Sequence, residues 1–371
     1  MAYKVWNWLL KNWPHFSYDK EALEKLELQF SQNTGSVFGA LKHIEDVSKN
    51  DLLIEILSNE ALKTSEIEGE VLNRESVESS IKKNLGLTVV NRKVPPAEYG
   101  IAEMMVDLYR NYNKRLSDEQ LFEWHKMLTN GRRDLTDIGK YRTHNSPMQV
   151  VSGRLDKPNI HFEAPPSIKI EKEMKQFIVW FNETHFTNTS MLPLVKAGLT
   201  HLYFVCIHPF EDGNGRIARA LTEKSIAIST GQPTLISLSH TIEIRKKEYY
   251  SSLETNNTRL EVTDWLLYLG NTILEAQQNT LKSIDFILEK TKFFDRFKFH
   301  LNDRQYKVIQ RIFEAGHEGF VGGLSAKNYR TIAKTSESTA TRDLKDLTDK
   351  KIVIKSGKLK SSRYVLNIKT I

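Results

Sequence analysis

The segment from His208 to Arg219 reads HPFEDGNGRIAR, an order of residue types that suits phosphate chemistry. At its centre Gly213, Asn214 and Gly215 form a predicted tight turn that leads into a helical stretch. A glycine-rich turn entering a helix presents free backbone N–H groups and the positive end of the helix dipole, and both favour phosphate. We therefore predict an anion site at the start of this helix.

Charged side chains around the turn extend this prediction to a polyphosphate. Arg216 and Arg219 are three residues apart, so they project to the same side of the helix near its start. Two guanidinium groups so placed suit a polyphosphate, and Asp212 suits a magnesium ion bridging its oxygens. His208 lies at the mouth of the site, where a neutral imidazole can accept a proton from an attacking hydroxyl.

Composition places the chain among ordinary globular proteins of two or three domains. Of its 371 residues 40% are hydrophobic and 27% are charged, and the formal net charge of +7 permits an anionic partner such as a nucleotide or nucleic acid. The single cysteine, Cys206, excludes an internal disulfide framework. Lys4 and Lys11 interrupt the aromatic N-terminal stretch, so we expect a cytoplasmic protein without a secretory signal or membrane span.

The apolar residues recur with helical spacing through most of the first 290 residues, which predicts a mainly α protein. The pattern changes at about residues 140–166, which are rich in turn residues. Two short runs there, Met148 to Val151 and Asn159 to Phe162, have the character of strands. We expect these runs to form a β-hairpin inserted between helices.

Residues 297–371 form a different predicted unit: three helices followed by a two-stranded basic hairpin, the order of a winged helix-turn-helix domain. Ser336 or Ser338 is expected to cap the third helix, whose apolar residues face inward. The basic side chains predicted to remain outside are Arg342, Lys345, Lys355, Lys358, Lys360 and Arg363. This pattern leaves open whether the surface binds DNA or mediates protein contacts.

The complete series from His208 to Arg219 resembles the defining motif of the Fic family, whose members mostly transfer AMP from ATP to protein hydroxyls. The resemblance implies a helical bundle core with a hairpin flap at residues 96–290, preceded by a helical domain at residues 1–95. It implies that His208 is the general base toward a Ser, Thr or Tyr hydroxyl. Asp212 would hold Mg²⁺ on the α- and β-phosphates.

The same resemblance assigns nucleotide binding to Gly213, Asn214, Gly215, Arg216, Arg219, Tyr250 and Asn257. Asn214 and the neighbouring N–H groups would orient the α-phosphate. Arg216 would support the phosphates, and Arg219 would bind the γ-phosphate. For Tyr250 the alternative is core packing.

The predicted hairpin has a place in the same scheme. In Fic proteins a flap beside the site aligns the target by pairing with its backbone as an added strand. Met148 to Val151 is the expected edge, and the target protein is unknown. A homodimer is implied by the resemblance alone.

The stretch TSEIEG, from Thr64 to Gly69, is similar to the inhibitory helix pattern of this family. Thr64 and Glu68 share a helix face, and Gly69 is expected to end the helix. By the resemblance, Glu68 pairs with Arg219 and occupies the space that the γ-phosphate requires. The alternative is a solvated acidic helix end.

Three functions follow. The first is a self-restrained protein adenylyltransferase that uses ATP. The second keeps the fold but removes AMP, or transfers another phosphate-containing group. The third is a DNA-binding regulator whose nucleotide pocket only senses its ligand.

Overall fold

The computed structural model describes residues 4–42, 44, 46–88, 93–154, 157–187, 190–313, 323–357 and 361–367. These residues are mainly α-helical, as the sequence predicts. The helices are α1 Lys20–Leu41, α2 Asp46–Ile67, α3 Arg74–Asn84, α4 Pro96–Asn111, α5 Asp118–Leu128, α6 Ser167–Phe186, α7 Pro193–Ile207, α8 Asn214–Thr230, α9 Leu238–Ile244, α10 Lys246–Asn256, α11 Thr263–Phe297, α12 Asp303–Phe313, α13 Ala326–Ala333 and α14 Glu337–Asp349. None of these helices combines the length and the apolar character needed to cross a membrane.

The four described strands form two antiparallel pairs. They are β1 Gln149–Arg154 with β2 Lys157–Glu163, and β3 Val353–Ser356 with β4 Arg363–Leu366. The chain divides into two compact units, one of Met1–Val37 with Leu53–Thr280 and one of Phe38–Leu52 with Leu281–Ile371. The domain borders expected from the sequence stay predictions.

The centre of the first unit is α7, which is apolar on nearly all sides and almost wholly buried. Pro193 occupies its first turn, where a missing N–H costs nothing. The next free N–H groups, of Leu194 and Val195, donate to the carboxylate of Glu27 at 2.9 and 3.2 Å. Burial raises the pKa of Glu27 to about 7, although these two bonds oppose the shift. The helix start is thus capped from a distant part of the sequence.

Helix α2 ends in a Schellman motif. Gly69 has φ of 87°, a left-handed conformation that favours glycine. The N–H of Gly69 donates to the carbonyl of Glu66, and that of Glu70 to the carbonyl of Ser65, both at 3.0 Å. The predicted stop at Gly69 is confirmed, and the motif places Glu68 and Glu70 at the helix end.

The expected hairpin is present as β1 and β2. Val150 is opposite Phe162 and Val151 is opposite Ile160, so His161 is the additional residue of a β-bulge. Phe162 is buried in the core of the first unit. The indole N–H of Trp8 donates to the carbonyl of Glu163 at 2.7 Å and fixes the base of the hairpin.

In the second unit, α12, α13 and α14 precede the pair β3–β4, in the predicted order. The Ser336 hydroxyl caps α14 by accepting from the N–H of Thr339. The apolar residues of α14 that were expected to face inward are buried: Ala340, Leu344 and Leu347. Of the predicted outer basic residues, Arg342, Lys345 and Lys355 are exposed and Arg363 is half-buried, whereas Lys358 and Lys360 lie outside the described residues. The winged-helix assignment stays a prediction.

Candidate active site

The turn between α7 and α8 places His208 where the sequence predicts it, directly after a buried helix. His208 has φ of 53° and ψ of 58°, and its N–H donates to the carbonyl of Phe204 at 3.0 Å. A left-handed conformation is uncommon outside glycine and marks a position that the surroundings impose. Gly213, with φ of 83°, then directs the chain into α8, which begins at Asn214.

Side chains inside the loop hold its shape. The Asn214 amide accepts from the N–H of Phe210 at 3.0 Å and donates to its carbonyl at 2.8 Å. Phe210 is buried and stacks on His125, with ring centroids 4.3 Å apart. Glu211 accepts from the N–H groups of Thr136 and Asp137. The Asn214 side chain therefore shapes the loop, and its predicted role toward an α-phosphate stays a prediction.

Arg142 braces this loop from outside, and sequence reasoning missed it. It is only 2% exposed, and its Nε donates to the carbonyl of His208 at 2.8 Å. The other guanidinium nitrogens donate to Ser167 Oγ and to the carbonyl of Pro165. Its own N–H donates to the carbonyl of Pro209. Burial lowers the pKa of Arg142 to about 10, so it stays charged at neutral pH.

The His208 imidazole is oriented for proton acceptance. Its Nδ1 lies 3.3 Å from the carbonyl of Val205. Because a carbonyl can only accept, we assign the ring proton to Nδ1, which leaves a lone pair on Nε2. Burial, and then the nearby Arg142 guanidinium, lower the pKa of His208 to about 4. The ring is therefore neutral at pH 7.

His208 lines a cavity of about 560 Å³ whose walls include predicted site residues from three parts of the sequence. They are Glu68, His208, Gly215, Tyr250 and Asn257. The Tyr250 hydroxyl donates to the carbonyl of Ile67 at 3.2 Å, and Asn257 Nδ2 donates to the carbonyl of His161 at 3.1 Å. These two residues therefore join the α2 end and the hairpin to the cavity wall.

Arg219 is 1% exposed and is held by the end of α2. Its Nε donates to the Thr64 hydroxyl at 2.7 Å, and its Nη2 donates to the Thr64 carbonyl at 2.9 Å and to Glu68 Oε1 at 2.7 Å. Glu68 Oε1 lies so close to Gly215 that an added Cβ there would be 2.2 Å from it. The Glu68 carboxylate therefore lies over the first turn of α8.

Arg216 and Asp212 form a second charged group with Arg132, which the sequence reasoning also missed. Arg216 pairs with Glu70 at 2.7 Å and contacts Asp212 at 3.4 Å. Arg132 contacts the other Asp212 oxygen at 2.5 Å. Burial opposes ionisation of Asp212, but Arg216 and Arg132 outweigh it and lower the pKa of Asp212. The side chain is thus a charged carboxylate, the donor type that Mg²⁺ prefers.

Several buried polar atoms beside the cavity lack hydrogen-bond partners within the described part of the chain. They are Arg216 Nε, Arg219 Nη1 and Asn257 Oδ1. An orphaned buried donor or acceptor is unusual in a folded protein and calls for a ligand or water. Neither Arg132 nor Arg142 could be recognised from the sequence, because each contacts the loop across more than sixty positions.

Comparison with known proteins identifies the segment that carries this site. Residues 115–225 match the model of the family described as Fic/DOC. The chain contains a Fic domain. The resemblance stated from the His208–Arg219 motif is thereby confirmed. Residues 6–87, which precede the Fic domain, match a domain of unknown function, DUF4172.

Curated relatives match less than half of this chain. Protein adenylyltransferase fic-1 of Caenorhabditis elegans is 29% identical over 142 residues, which is 38% of this chain and 24% of that protein. Protein adenylyltransferase Fic of Drosophila ananassae is 36% identical over 115 residues, 31% of this chain and 22% of that protein. The chain thus spans about a quarter of the length of these relatives.

A solved Fic family protein from Desulfovibrio desulfuricans G20 shares the fold. The TM-score is 0.53 at 18% sequence identity, and the match covers 95% of this chain and 98% of that one. The mainly helical Fic-type fold expected from the sequence is therefore confirmed.

Proposed function

We propose that this protein is an adenylyltransferase that transfers AMP from ATP to a Ser, Thr or Tyr hydroxyl of a target protein, including itself. The observation that carries this proposal is the position of His208. A neutral imidazole with a lone pair on Nε2 lines the same cavity as Gly215, at the N-terminus of α8. The curated names of the matched relatives, protein adenylyltransferases, support the same reaction.

In the proposed reaction, His208 Nε2 accepts the proton of the target hydroxyl. The hydroxyl oxygen forms a bond to the α-phosphorus of ATP, the bond from that phosphorus to the β-phosphate oxygen breaks, and pyrophosphate leaves. Free N–H groups of the first turn of α8, with Arg216 and Arg219, stabilise the phosphate charge. The unpaired Nη1 of Arg219 and Nε of Arg216 are donors that a triphosphate satisfies.

Asp212 is the residue that we propose for magnesium. Mg²⁺ commonly binds through one or two carboxylates together with substrate phosphates, so a single charged Asp212 beside a phosphate site fits it. An ion held by Asp212 would supply positive charge beside the phosphates. Arg132 and Arg216 both contact the Asp212 carboxylate.

Glu68 restrains the reaction in this proposal. Its carboxylate pairs with Arg219 and lies over Gly215, the space that a γ-phosphate would occupy. ATP then binds without its γ-phosphate in place, and the α-phosphorus is misaligned for attack. Removal of Glu68 frees Arg219 for the nucleotide.

The target is proposed to bind along β1. Val151 is 50% exposed and Ile160 is 39% exposed on the adjacent strand, so the hairpin presents apolar surface to solvent. Among the residues that the structure describes, β1 and β2 form a two-stranded sheet, which leaves backbone groups of β1 for a third strand.

ATP with a label on the α-phosphate tests the function. The parent chain, Glu68→Gly and the double variant Glu68→Gly/His208→Ala are incubated with Mg²⁺, and protein-bound label is measured. We expect strong labelling of Glu68→Gly and loss of label in the double variant. Absence of label in Glu68→Gly with ATP, but its appearance with UTP or CDP-choline, would favour transfer of another group. Release of AMP from a modified protein by the parent would favour the AMP-removing alternative.

A second candidate function concerns the second unit, for which we propose DNA binding. Arg342 and Lys345 are exposed on α14, while Leu344 and Leu347 of the same helix are buried, so one face presents basic groups. Electrophoretic mobility shifts with duplex DNA at increasing salt test it. Loss of binding in Arg342→Ala/Lys345→Ala, with a steep salt dependence in the parent, is expected. The homodimer and the cytoplasmic location stay predictions.

A further inference from the structure

A second hydrogen-bonded chain of catalytic residue types lies on the cavity wall, separate from His208. Ser152 Oγ lies 2.6 Å from Nε2 of His161, and Nδ1 of His161 lies 2.9 Å from Glu254 Oε2. All three residues line the same cavity as His208 and Gly215. The order hydroxyl, imidazole, carboxylate is that of an activated nucleophile.

The surroundings of Glu254 fix where the protons lie. Lys4 donates to Glu254 Oε1 at 2.6 Å, and this bond is the main cause that lowers the pKa of Glu254. A charged carboxylate only accepts, so Nδ1 of His161 carries the ring proton. In the neutral form of this ring Nε2 holds the lone pair, and the Ser152 hydroxyl donates to it. This is the direction of transfer that activates a serine oxygen.

The hairpin geometry holds His161 in place for this contact. His161 is the additional residue of the β-bulge, and bulges redirect side chains beside functional sites. The backbone carbonyl of His161 accepts from Asn257 Nδ2, and its ring contacts Glu254. The backbone and the ring of His161 are therefore each fixed, one to the residue that follows α10 and the other to α10 itself. Ser152 is exposed on the neighbouring strand and remains accessible from the cavity.

We propose that Ser152 is a self-modification site, a serine that accepts AMP from the nucleotide in this cavity with His161 as its base. Oγ of Ser152 forms a bond to the α-phosphorus, the bond to the β-phosphate oxygen breaks, and pyrophosphate leaves with the electron pair. The serine proton passes to Nε2 of His161, and Glu254 stabilises the imidazolium. This inference rests on the proposed function, because it requires ATP at the start of α8.

Peptide mapping tests the site directly. The full-length Glu68→Gly chain is incubated with ATP and Mg²⁺ and digested with trypsin, which cleaves after Arg142 and Arg154. The peptide between them contains Ser152 and two other hydroxyl residues, Thr143 and Ser146. Fragmentation by mass spectrometry then locates the AMP. We expect it on Ser152.

Variants in the same Glu68→Gly background test whether His161 acts as a base or only anchors the hairpin. Ser152→Ala is expected to abolish the label in this peptide, Ser152→Thr to retain it, and the matched control Ser146→Ala to leave it unchanged. His161→Gln is expected to lower the AMP label in this peptide by about 100-fold or more. The labelling of other residues and the melting temperature are expected to stay unchanged. If His161→Gln instead lowers labelling everywhere together with the melting temperature, His161 is only an anchor and the inference is wrong.

The failure of this inference is distinguishable from failure of the proposed function. AMP on other residues of Glu68→Gly, with Ser152 unmodified, overturns the inference and leaves the function standing. Absence of AMP on every residue and on every added protein overturns both.

Discussion

Glu68 Oε1 and Arg219 Nη2 lie 2.7 Å apart, although the two residues are separated by 151 positions in the sequence. The pair belongs to a wider arrangement at the end of α2, where three acids each have a cation. Glu66 pairs with Lys63 and Glu70 pairs with Arg216. Negative charge at a helix C-terminus is unfavourable, and these contacts offset it. The Glu68 carboxylate also lies against Gly215, in the first turn of α8.

Glu68→Gly is expected to raise AMP incorporation from α-labelled ATP. Arg219 then becomes free for the γ-phosphate, and coupling between two sites typically changes the affinity for a ligand by about 5- to 150-fold. Glu66→Gly is the matched control, because it introduces the same residue two positions away and removes only the pair with Lys63. Equal labelling of the parent and Glu68→Gly would remove the inhibitory contact from the proposal.

The pH dependence of the reaction is expected to have its acidic limb near pH 4. Burial and Arg142 lower the pKa of His208 to about 4, so the base stays unprotonated above that value. The rate of Glu68→Gly, measured as kcat/KM, should therefore be nearly flat from pH 5.5 to 7.5 as far as His208 is concerned, and lost as His208 gains a proton below about pH 4. A midpoint near the ordinary histidine value of about 6.5 would contradict this environment.

Arg142→Ala is expected to destabilise the protein by about 2–4 kcal/mol, because buried acceptors lose a charged donor. The carbonyls of His208 and Pro165 and the hydroxyl of Ser167 lose their partner. Arg142→Lys keeps the charge but not the planar fork, and should recover only part of the stability. Denaturant unfolding measures the effect. A change below about 0.5 kcal/mol, the range of ordinary surface substitutions, would show that the brace is unimportant.

Chelation of magnesium is expected to abolish labelling of Glu68→Gly, and Asp212→Asn to lower it strongly. Arg132 competes for the same carboxylate at 2.5 Å. Arg132→Ala should therefore lower the Mg²⁺ concentration that gives half-maximal labelling, and Lys126→Ala, which removes an exposed pair with Glu123, serves as the control. Full labelling in excess EDTA would exclude a role for the ion.

Cys206 is expected to resist thiol reagents in the folded protein. The side chain is buried, and burial raises its pKa to about 12, so almost no thiolate forms at pH 8. Alkylation followed by mass spectrometry should show labelling only after denaturation. Rapid labelling of the native protein would mean that the α7 region opens readily.

Local rules explain why part of this architecture could be predicted. The Gly69 stop, the Ser336 cap and the end of α7 before His208 each depend on a few neighbouring residues. The hairpin followed from turn residues between two strand-like runs. The motif itself located the Fic domain, since its order of residue types is hard to obtain from packing alone.

Contacts made at long range could not be predicted. Arg142 and Arg132 sit in turn-rich segments that resemble ordinary solvent-exposed loops in the sequence. The Ser152, His161 and Glu254 chain depends on a β-bulge and on a helix far along the sequence. The bonds of both Asn214 amide atoms to the Phe210 backbone are likewise invisible in the sequence, and the role of Asn214 toward the α-phosphate stays a prediction. Only the folded geometry distinguishes these possibilities.

The Asn214 side chain and the Arg142 guanidinium hold the loop after His208 in its folded shape. Both sets of contacts are present while Glu68 is paired with Arg219. In the restraint that we propose for Glu68, activation therefore needs no refolding of the loop after His208, only the withdrawal of the Glu68 carboxylate. Such a switch can operate on the timescale of a side-chain or helix-end movement, and Glu68 can pair with Arg219 again without a change in the loop.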